Sequence, residues 1–259
     1  MAKQYNWLLI SLATLLLLVN IEAEEPEEKL AIPTQFPYQV FIDVAPKSDN
    51  SKWVPKCSGT IISKSAIVTT ASCLDTEFDL AQIYFGAVNI SNAFEIGQTR
   101  MEVERKYFEV HEGYNPVTLS NNIAIIKLPF ELEFNEYVQA VSLPSKEDLG
   151  HYVGQEMIIA GWHQIDNQQK FAVWPVLKYL GKKVAGHVGK EAAKWVGKKV
   201  VGLLADEGSP ITIHENDDNI AVGMYTTQNG KAKSKLSHFV NLIKLLPWIK
   251  KIVSDIRLK

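Results

Sequence analysis

The sequence predicts an all-β protein, a barrel or sandwich assembled from many short strands. Runs rich in β-branched residues recur along the chain between turn residues, a pattern typical of such folds. The 259 residues are 46% hydrophobic and 22% charged, a globular composition that suffices for one large domain or two small ones. This composition excludes collagen-like and disordered classes. The clearest strand-like runs are residues 38–42, 59–62, 66–70, 82–85, 123–128, 157–160 and 220–222.

The N-terminal residues 1–23 have the pattern of a secretory signal peptide. Lys3 precedes an apolar run from Trp7 to Val19, and a polar stretch then ends at Ala23. The run is short for a transmembrane helix, so a cleaved signal is favoured over a retained membrane anchor. We therefore expect a secreted, extracellular protein with no transmembrane segment after signal removal.

Charge is unevenly distributed along the chain. Residues 24–35 form an acidic N-terminal lead. Residues 1–177 as a whole carry 12 basic and 22 acidic side chains. Residues 178–259 carry 15 basic and 7 acidic side chains, which favours this part as a surface for an acidic partner. The segment 178–200 is especially rich in lysine, so it is either a polyanion- or membrane-binding surface or an ordinary solvated face. The lysines selected as candidates for binding are Lys190, Lys194, Lys198 and Lys199.

Two segments depart from the strand pattern. Residues 177–201 place apolar side chains at roughly helical spacing, but several glycines in the segment disfavour a continuous helix. Residues 239–256 place apolar side chains from Val240 to Val253 on one face, which predicts an amphipathic C-terminal helix. Pro247 lies within it and predicts a kink or the helix start.

A series of short motifs follows a fixed order along the chain. Residues 57–62 have the sequence CSGTII, residues 68–73 VTTASC, residues 110–115 VHEGYN, residues 122–128 NIAIIKL, and residues 205–210 ADEGSP. In order and spacing these resemble C-G-G-x-L-I, V-x-T-A-A-H-C, V-H-P-x-Y-N, D-I-A-L-L-K-L and G-D-S-G-G-P of the trypsin/chymotrypsin family. Weaker matches are FPYQV at 36–40, VSLP at 141–144, GW at 161–162 and WI at 248–249.

The resemblance implies a trypsin-like domain over residues 36–255. In that family the fold has two antiparallel six-stranded β-barrels with the active-site cleft between them. Here the barrels would cover about residues 30–144 and 145–240, and the helix at about 239–256 would pack against them.

The same resemblance implies that the catalytic residues are missing. The family hydrolyses peptides with a serine nucleophile, a histidine base and an aspartate that orients the histidine. The matching positions hold Ser72 for the histidine, Asn122 for the aspartate and Glu207 for the serine. The aspartate that precedes the serine, and that pairs with a newly cut N-terminal ammonium in active relatives, is kept as Asp206, while the glycine before it is Ala205.

The implied function is that of a secreted, catalytically inactive serine protease homologue that acts by binding or regulation. Its partner would be an extracellular protein, such as an active protease or its substrate, or an acidic polysaccharide. Two alternatives stay open. One is a degenerate hydrolase with residual or relocated serine-type endopeptidase activity, and the other is a polyanion- or membrane-surface-binding protein acting through residues 178–200.

Further expectations concern modifications and cofactors. The resemblance implies a disulfide between Cys57 and Cys73, and Asn89-Ile90-Ser91 is an N-glycosylation sequon that makes Asn89 a candidate acceptor. None of the six histidines stands at metal-ligand spacing from another ligand, and nucleotide-binding glycine motifs are absent from the sequence. We expect no metal, no cofactor and no nucleic-acid partner.

Overall fold

The structure is a computed structural model that describes residues 29–49, 52–74, 77–145, 156–165, 168–178, 206–226 and 238–259. The predicted signal peptide and the four candidate lysines lie outside the described residues. The described part forms two antiparallel sheets and a C-terminal helix, as the sequence predicts. None of its helices is both long and apolar enough to span a membrane.

The described residues contain thirteen strands and the helix α1, Leu242–Ile252. The strands in chain order are β1 Lys29–Leu30, β2 Gln39–Pro46, β3 Val54–Ser63, β4 Ala66–Thr69, β5 Phe78–Phe85, β6 Thr99–Glu104, β7 Phe108–Val110, β8 Ala124–Lys127, β9 Glu156–Ile165, β10 Gln168–Lys178, β11 Pro210–Glu215, β12 Asp218–Thr226 and β13 His238–Asn241.

The first sheet has the strand order β6-β5-β2-β3-β4-β8-β7. Its two edge strands, β6 and β7, are consecutive in the chain and are separated only by the 3₁₀ turn Arg105–Tyr107. Because one extended segment reaches both edges, the sheet closes on itself as a barrel. The predicted six strands become seven because this turn divides the closing strand in two.

The second sheet has the strand order β1-β10-β9-β11-β12-β13. Its first strand corrects the predicted boundary, because Leu30 pairs with Ala172 of β10 and not with the first barrel. Pairing with β1 satisfies backbone groups at the edge of β10.

Three apolar clusters hold the fold together. One lies inside the first barrel and includes Ile42 and Ile83, and another lies within the second sheet and includes Ile211 and Ile220. The third includes Phe41 and joins the first barrel, the second sheet and α1. Strand β2 contributes to two clusters from its two faces, which explains why residues 39–45 are all buried.

The helix α1 is shorter than predicted. Residues 239–241 pair with β12 as part of β13, so the helix begins at Leu242. The side chain of Asn241 accepts a hydrogen bond of 3.1 Å from the Lys244 N–H and caps the helix. Pro247 lies inside the helix and on its exposed side, so it does not mark the start.

Candidate functional site

Three loops at the ends of strands carry the predicted site residues. Ser72 lies in the 3₁₀ turn Ala71–Leu74 after β4, Asn122 precedes β8, and Glu207 precedes β11. The predicted disulfide between Cys57 and Cys73 is confirmed, and it ties β3 to the turn that bears Ser72. Both cysteines are fully buried, so the crosslink forms part of the first barrel's core.

The structure brings Ser72, Asn122 and Glu207 together in one hydrogen-bonded cluster. The Ser72 hydroxyl donates to Oε1 of Glu207 at 2.8 Å. Nδ2 of Asn122 lies 3.2 Å from the Ser72 Oγ and 3.4 Å from the same Glu207 oxygen. Residues that are 50 and 135 positions apart in the chain therefore share one polar site.

Asn122 is the buried centre of this cluster, with 1% of its surface exposed. Its Oδ1 accepts the Ser72 backbone N–H at 2.9 Å, and its Nδ2 donates to Thr226 Oγ1 at 2.8 Å. An amide satisfies both partners because it carries a donor and an acceptor. An aspartate here would place a second carboxylate close to Glu207 and would raise the cost of charging both groups.

Backbone contacts hold Glu207 against the first barrel. The Glu207 carbonyl accepts the Ser58 N–H at 2.8 Å, and the Gly208 N–H donates to the Tyr225 carbonyl at 2.9 Å. Gly208 has a φ of +86°, and a Cβ at this position would overlap the Ser58 carbonyl oxygen. Glycine is therefore required at this turn, which presents the Glu207 side chain to Ser72.

Asp206 anchors the same loop on its other side. Its Oδ2 accepts the Trp162 N–H at 2.7 Å and the Ser58 hydroxyl at 3.2 Å, so it links β9 to β3. Burial raises the pKa of Asp206 to about 6, although these two hydrogen bonds favour the charged form and oppose the rise. The sequence motif identified Asp206, but nothing in it pointed to Ser58 or Trp162 as partners.

The stability of the protein relative to an Asp206→Asn variant is expected to fall as the pH rises. An unfolded aspartate has a pKa of about 3.9, so between about pH 4 and pH 6 only the folded state keeps this proton. Its contribution is fully present below about pH 4, declines between about pH 4 and pH 6, and is gone once the pH exceeds the folded pKa of about 6. The expected loss is about 3 kcal/mol, measured by denaturant unfolding of both proteins from pH 4 to pH 7.

Asp218→Asn is the matched control for this experiment. Burial opposes charge on Asp218, but the Ser142 hydroxyl and the charges of Arg257 and Lys259 outweigh it and lower its pKa. Asp218 therefore titrates below the pH 4–6 interval in which Asp206 acts. The difference in free energy of unfolding between Asp218→Asn and the wild type should not change with pH above about pH 5. Parallel unfolding curves for the wild type and Asp206→Asn would contradict the role given to Asp206.

The remaining predicted site residues lie apart from the cluster. Oδ1 of Asn89 accepts the Ser91 N–H at 3.1 Å in a surface turn, and its glycosylation stays a prediction. Within the described ranges, no group of three or more histidine, cysteine or acidic side chains is arranged to hold a metal ion.

Comparison with known proteins places this chain in a family. A sequence model described as Trypsin matches residues 27–249. Chymotrypsin-C of Mus musculus is 29% identical over 148 residues, which are 56% of this chain and 52% of that protein. Brachyurin of Leptuca pugilator is 33% identical over 132 residues, 51% of this chain and 52% of that protein. The chain thus spans about half the length of these relatives.

Two further matches extend over most of the chain. Chymotrypsin of Phaedon cochleariae is 24% identical over 228 residues, covering 84% of this chain and 78% of that protein. A solved structure, "Structure of GrC", superposes with a TM-score of 0.65 at 21% identity and covers 87% of this chain and 97% of its own. The two sheets and the helix thus define a chymotrypsin-like protein. The chain belongs to the trypsin family of serine proteases.

Proposed function

We propose that this chain is a secreted, catalytically inactive member of the trypsin family that acts by binding an extracellular protein. The observation that carries the proposal is the cluster of Ser72, Asn122 and Glu207. By motif order these are the positions of the family's histidine, aspartate and serine, and in this chain they hold each other through hydrogen bonds. The partner would be an active protease or the substrate of one.

The chemistry of this cluster supports inactivity. Acyl transfer needs a base that takes the nucleophile's proton and then returns it to the leaving amine. In this cluster the group that faces the Ser72 hydroxyl is a carboxylate, and carboxylates are weaker bases than imidazole by about two pKa units. Asn122 is neutral and would not stabilise a positive charge formed beside it.

A degenerate hydrolase is the second candidate, and one distance favours it. The Ser72 Oγ lies 2.8 Å from a Glu207 oxygen, which is the separation expected of a nucleophile and its base. In that case Ser72 would attack the substrate and Glu207 would hold the proton. The two candidate functions predict different results. A hydrolase would lose its activity in Ser72→Ala and in Glu207→Gln, whereas an inactive protein has no activity to lose.

Turnover of a broad peptide library and of activated esters tests the proposal. We expect the secreted wild type to give no hydrolysis above a heat-denatured control, and both variants to match it. Turnover by the wild type that disappears in Ser72→Ala and in Glu207→Gln would contradict the proposal and establish the second candidate.

The triple variant Ser72→His, Asn122→Asp, Glu207→Ser is expected to stay inactive. In active relatives the aspartate that matches Asp206 pairs with a newly cut N-terminal ammonium. In this chain Asp206 instead accepts hydrogen bonds from the Trp162 N–H and the Ser58 hydroxyl. The loop would then lack an organised oxyanion site, and losing one donor of such a site costs about 10²–10³ in kcat. We expect kcat/KM to be at least about 10³ below that of an active relative. Circular dichroism confirms folding, and efficient cleavage by the folded variant would refute the expectation.

Polyanion binding by residues 178–200 remains a separate prediction, since this segment lies outside the described residues. If these lysines form a binding surface, the wild type should be retained on heparin and should elute as salt screens the charges, with a Debye length of about 10 Å at 0.1 M. A variant with Lys190, Lys194, Lys198 and Lys199 changed to Gln should elute earlier. Elution of both proteins at the same low salt would identify an ordinary solvated face.

A further inference from the structure

A cavity of about 240 Å³ is lined by Asn122 and by residues of the C-terminal helix α1. It is bounded by the loop 118–121, by β13 and by the first turn of α1. Three kinds of side chain line it. Asn122 and Thr226 are polar and hydrogen-bonded to each other, Lys244 is basic, and Leu119, Phe239 and Leu245 are apolar.

The polar lining of the cavity suits an anion. None of the residues that line it is acidic, and Lys244 supplies a positive charge. Within the described part of the chain, the Lys244 ammonium forms no salt bridge, and its backbone N–H is the group that Asn241 caps. Asn122 is neutral where the family has an aspartate, so this lining residue brings no negative charge to the cavity.

The apolar lining suits one small hydrophobic group. Phe239 is 44% exposed and is held by an edge-on contact with Tyr225 at a ring separation of 6.2 Å. Leu119 and Leu245 provide further apolar contact surface. The volume is below the roughly 300–1,000 Å³ of pockets for drug-sized ligands, so the site fits a group about the size of one amino-acid residue.

The loop that borders the cavity is preformed. Leu119 and Asn121 both have left-handed backbone conformations, with φ of +56° and +52°. Such conformations are uncommon for residues other than glycine, and they persist where the surrounding structure enforces them. Here Asn115 Oδ1 accepts the Thr118 N–H at 3.0 Å, and Asn121 Nδ2 donates to the Gly113 carbonyl at 3.0 Å. A rim fixed in advance reduces the entropy lost when a ligand binds.

We propose that this cavity binds a small carboxylate that carries one apolar group. The Lys244 ammonium contacts the carboxylate, while Phe239 and Leu119 pack against the apolar group. Two sources supply this chemistry, a free acid and the C-terminal residue of a peptide. The proposal does not depend on the loss of catalysis, because none of its test variants alters Ser72 or Glu207.

Isothermal titration with three probes at low salt tests the site. The probes are N-acetyl-leucine, its neutral amide, and a hexapeptide ending in leucine. For the wild type, the acid is expected to bind about tenfold more tightly than the amide, since a charge-assisted contact is lost with the amide. Lys244→Gln should lower the affinity for the acid by about tenfold and leave the affinity for the amide unchanged. Phe239→Ala should lower the affinity for both probes.

Lys250→Gln is the control, because Lys250 is an exposed lysine on the same helix that does not line the cavity. It should leave the affinity for every probe unchanged. The proposal would be overturned if the wild type bound the acid and the amide with equal affinity. It would also be overturned if the wild type bound neither the acid nor the peptide. The comparison of acid and amide needs only the wild type, so it decides the matter even if a variant fails to fold.

The peptide arm identifies the source of the carboxylate. Binding of the hexapeptide acid at least as tightly as N-acetyl-leucine supports a peptide terminus as the ligand. Binding of the free acid without the peptide supports a small molecule. Both results support the site, and neither bears on whether the protein hydrolyses peptides.

Discussion

Replacing Phe41 by alanine is expected to lower the free energy of unfolding by about 3–5 kcal/mol. Phe41 is 2% exposed and lies in the cluster that joins the two barrels. Its ring contacts Trp162 at 5.4 Å and Tyr84 at 5.8 Å between centroids, both edge-on. The truncation leaves a void between elements that belong to different sheets, so neither sheet can fill it by a local shift.

Denaturant unfolding followed by fluorescence measures this effect. Phe94→Ala is the control, because Phe94 is 94% exposed and its removal should change the stability by no more than about 0.5 kcal/mol. A loss below about 1 kcal/mol for Phe41→Ala would show that the barrels do not depend on this contact. The variant should also weaken the Asp206 anchor, because Trp162 supplies its backbone N–H donor.

Removing the disulfide by Cys57→Ala and Cys73→Ala is expected to cost about 3 kcal/mol. The crosslink joins residues 16 positions apart. In the chain-entropy model, closing a loop of that length lowers the entropy of the unfolded chain and stabilises the folded state by about this free energy. The loss should also loosen the turn that carries Ser72, since Cys73 is its neighbour in that turn.

Wild-type protein unfolded in the presence of a reductant provides the matching control. It should be destabilised by a similar amount, whereas the double variant should be insensitive to reductant. Equal stability of oxidised and reduced wild type would contradict the assigned contribution of the disulfide.

Much of the fold could be predicted from local pattern. The apolar runs at 38–42, 59–62, 82–85 and 157–160 each fall within or overlap a strand of the structure. Local pattern does not indicate strand β6, Thr99–Glu104, because it is an edge strand whose residues are mostly exposed and polar. Local pattern also does not indicate the break at Arg105–Tyr107, because barrel closure, and not local propensity, sets its position.

The site could be predicted only in part. Motif order identified Ser72, Asn122 and Glu207, since each stands in a recognisable short segment. The partner of Asn122 could not be found this way, because Thr226 is 104 positions away and stands in no motif. The same holds for Ser58 and Trp162 around Asp206, whose contacts exist only once the two barrels have packed together.

Covalent labelling by a serine-directed phosphonate tests the central proposal most directly, because it needs one attack by an activated serine and no turnover. The secreted protein would be incubated with excess reagent and its intact mass compared with that of an active trypsin-family protease treated in parallel. We expect full modification of the active protease and no added mass on this protein. A stoichiometric adduct on the wild type that is absent from Ser72→Ala would contradict it.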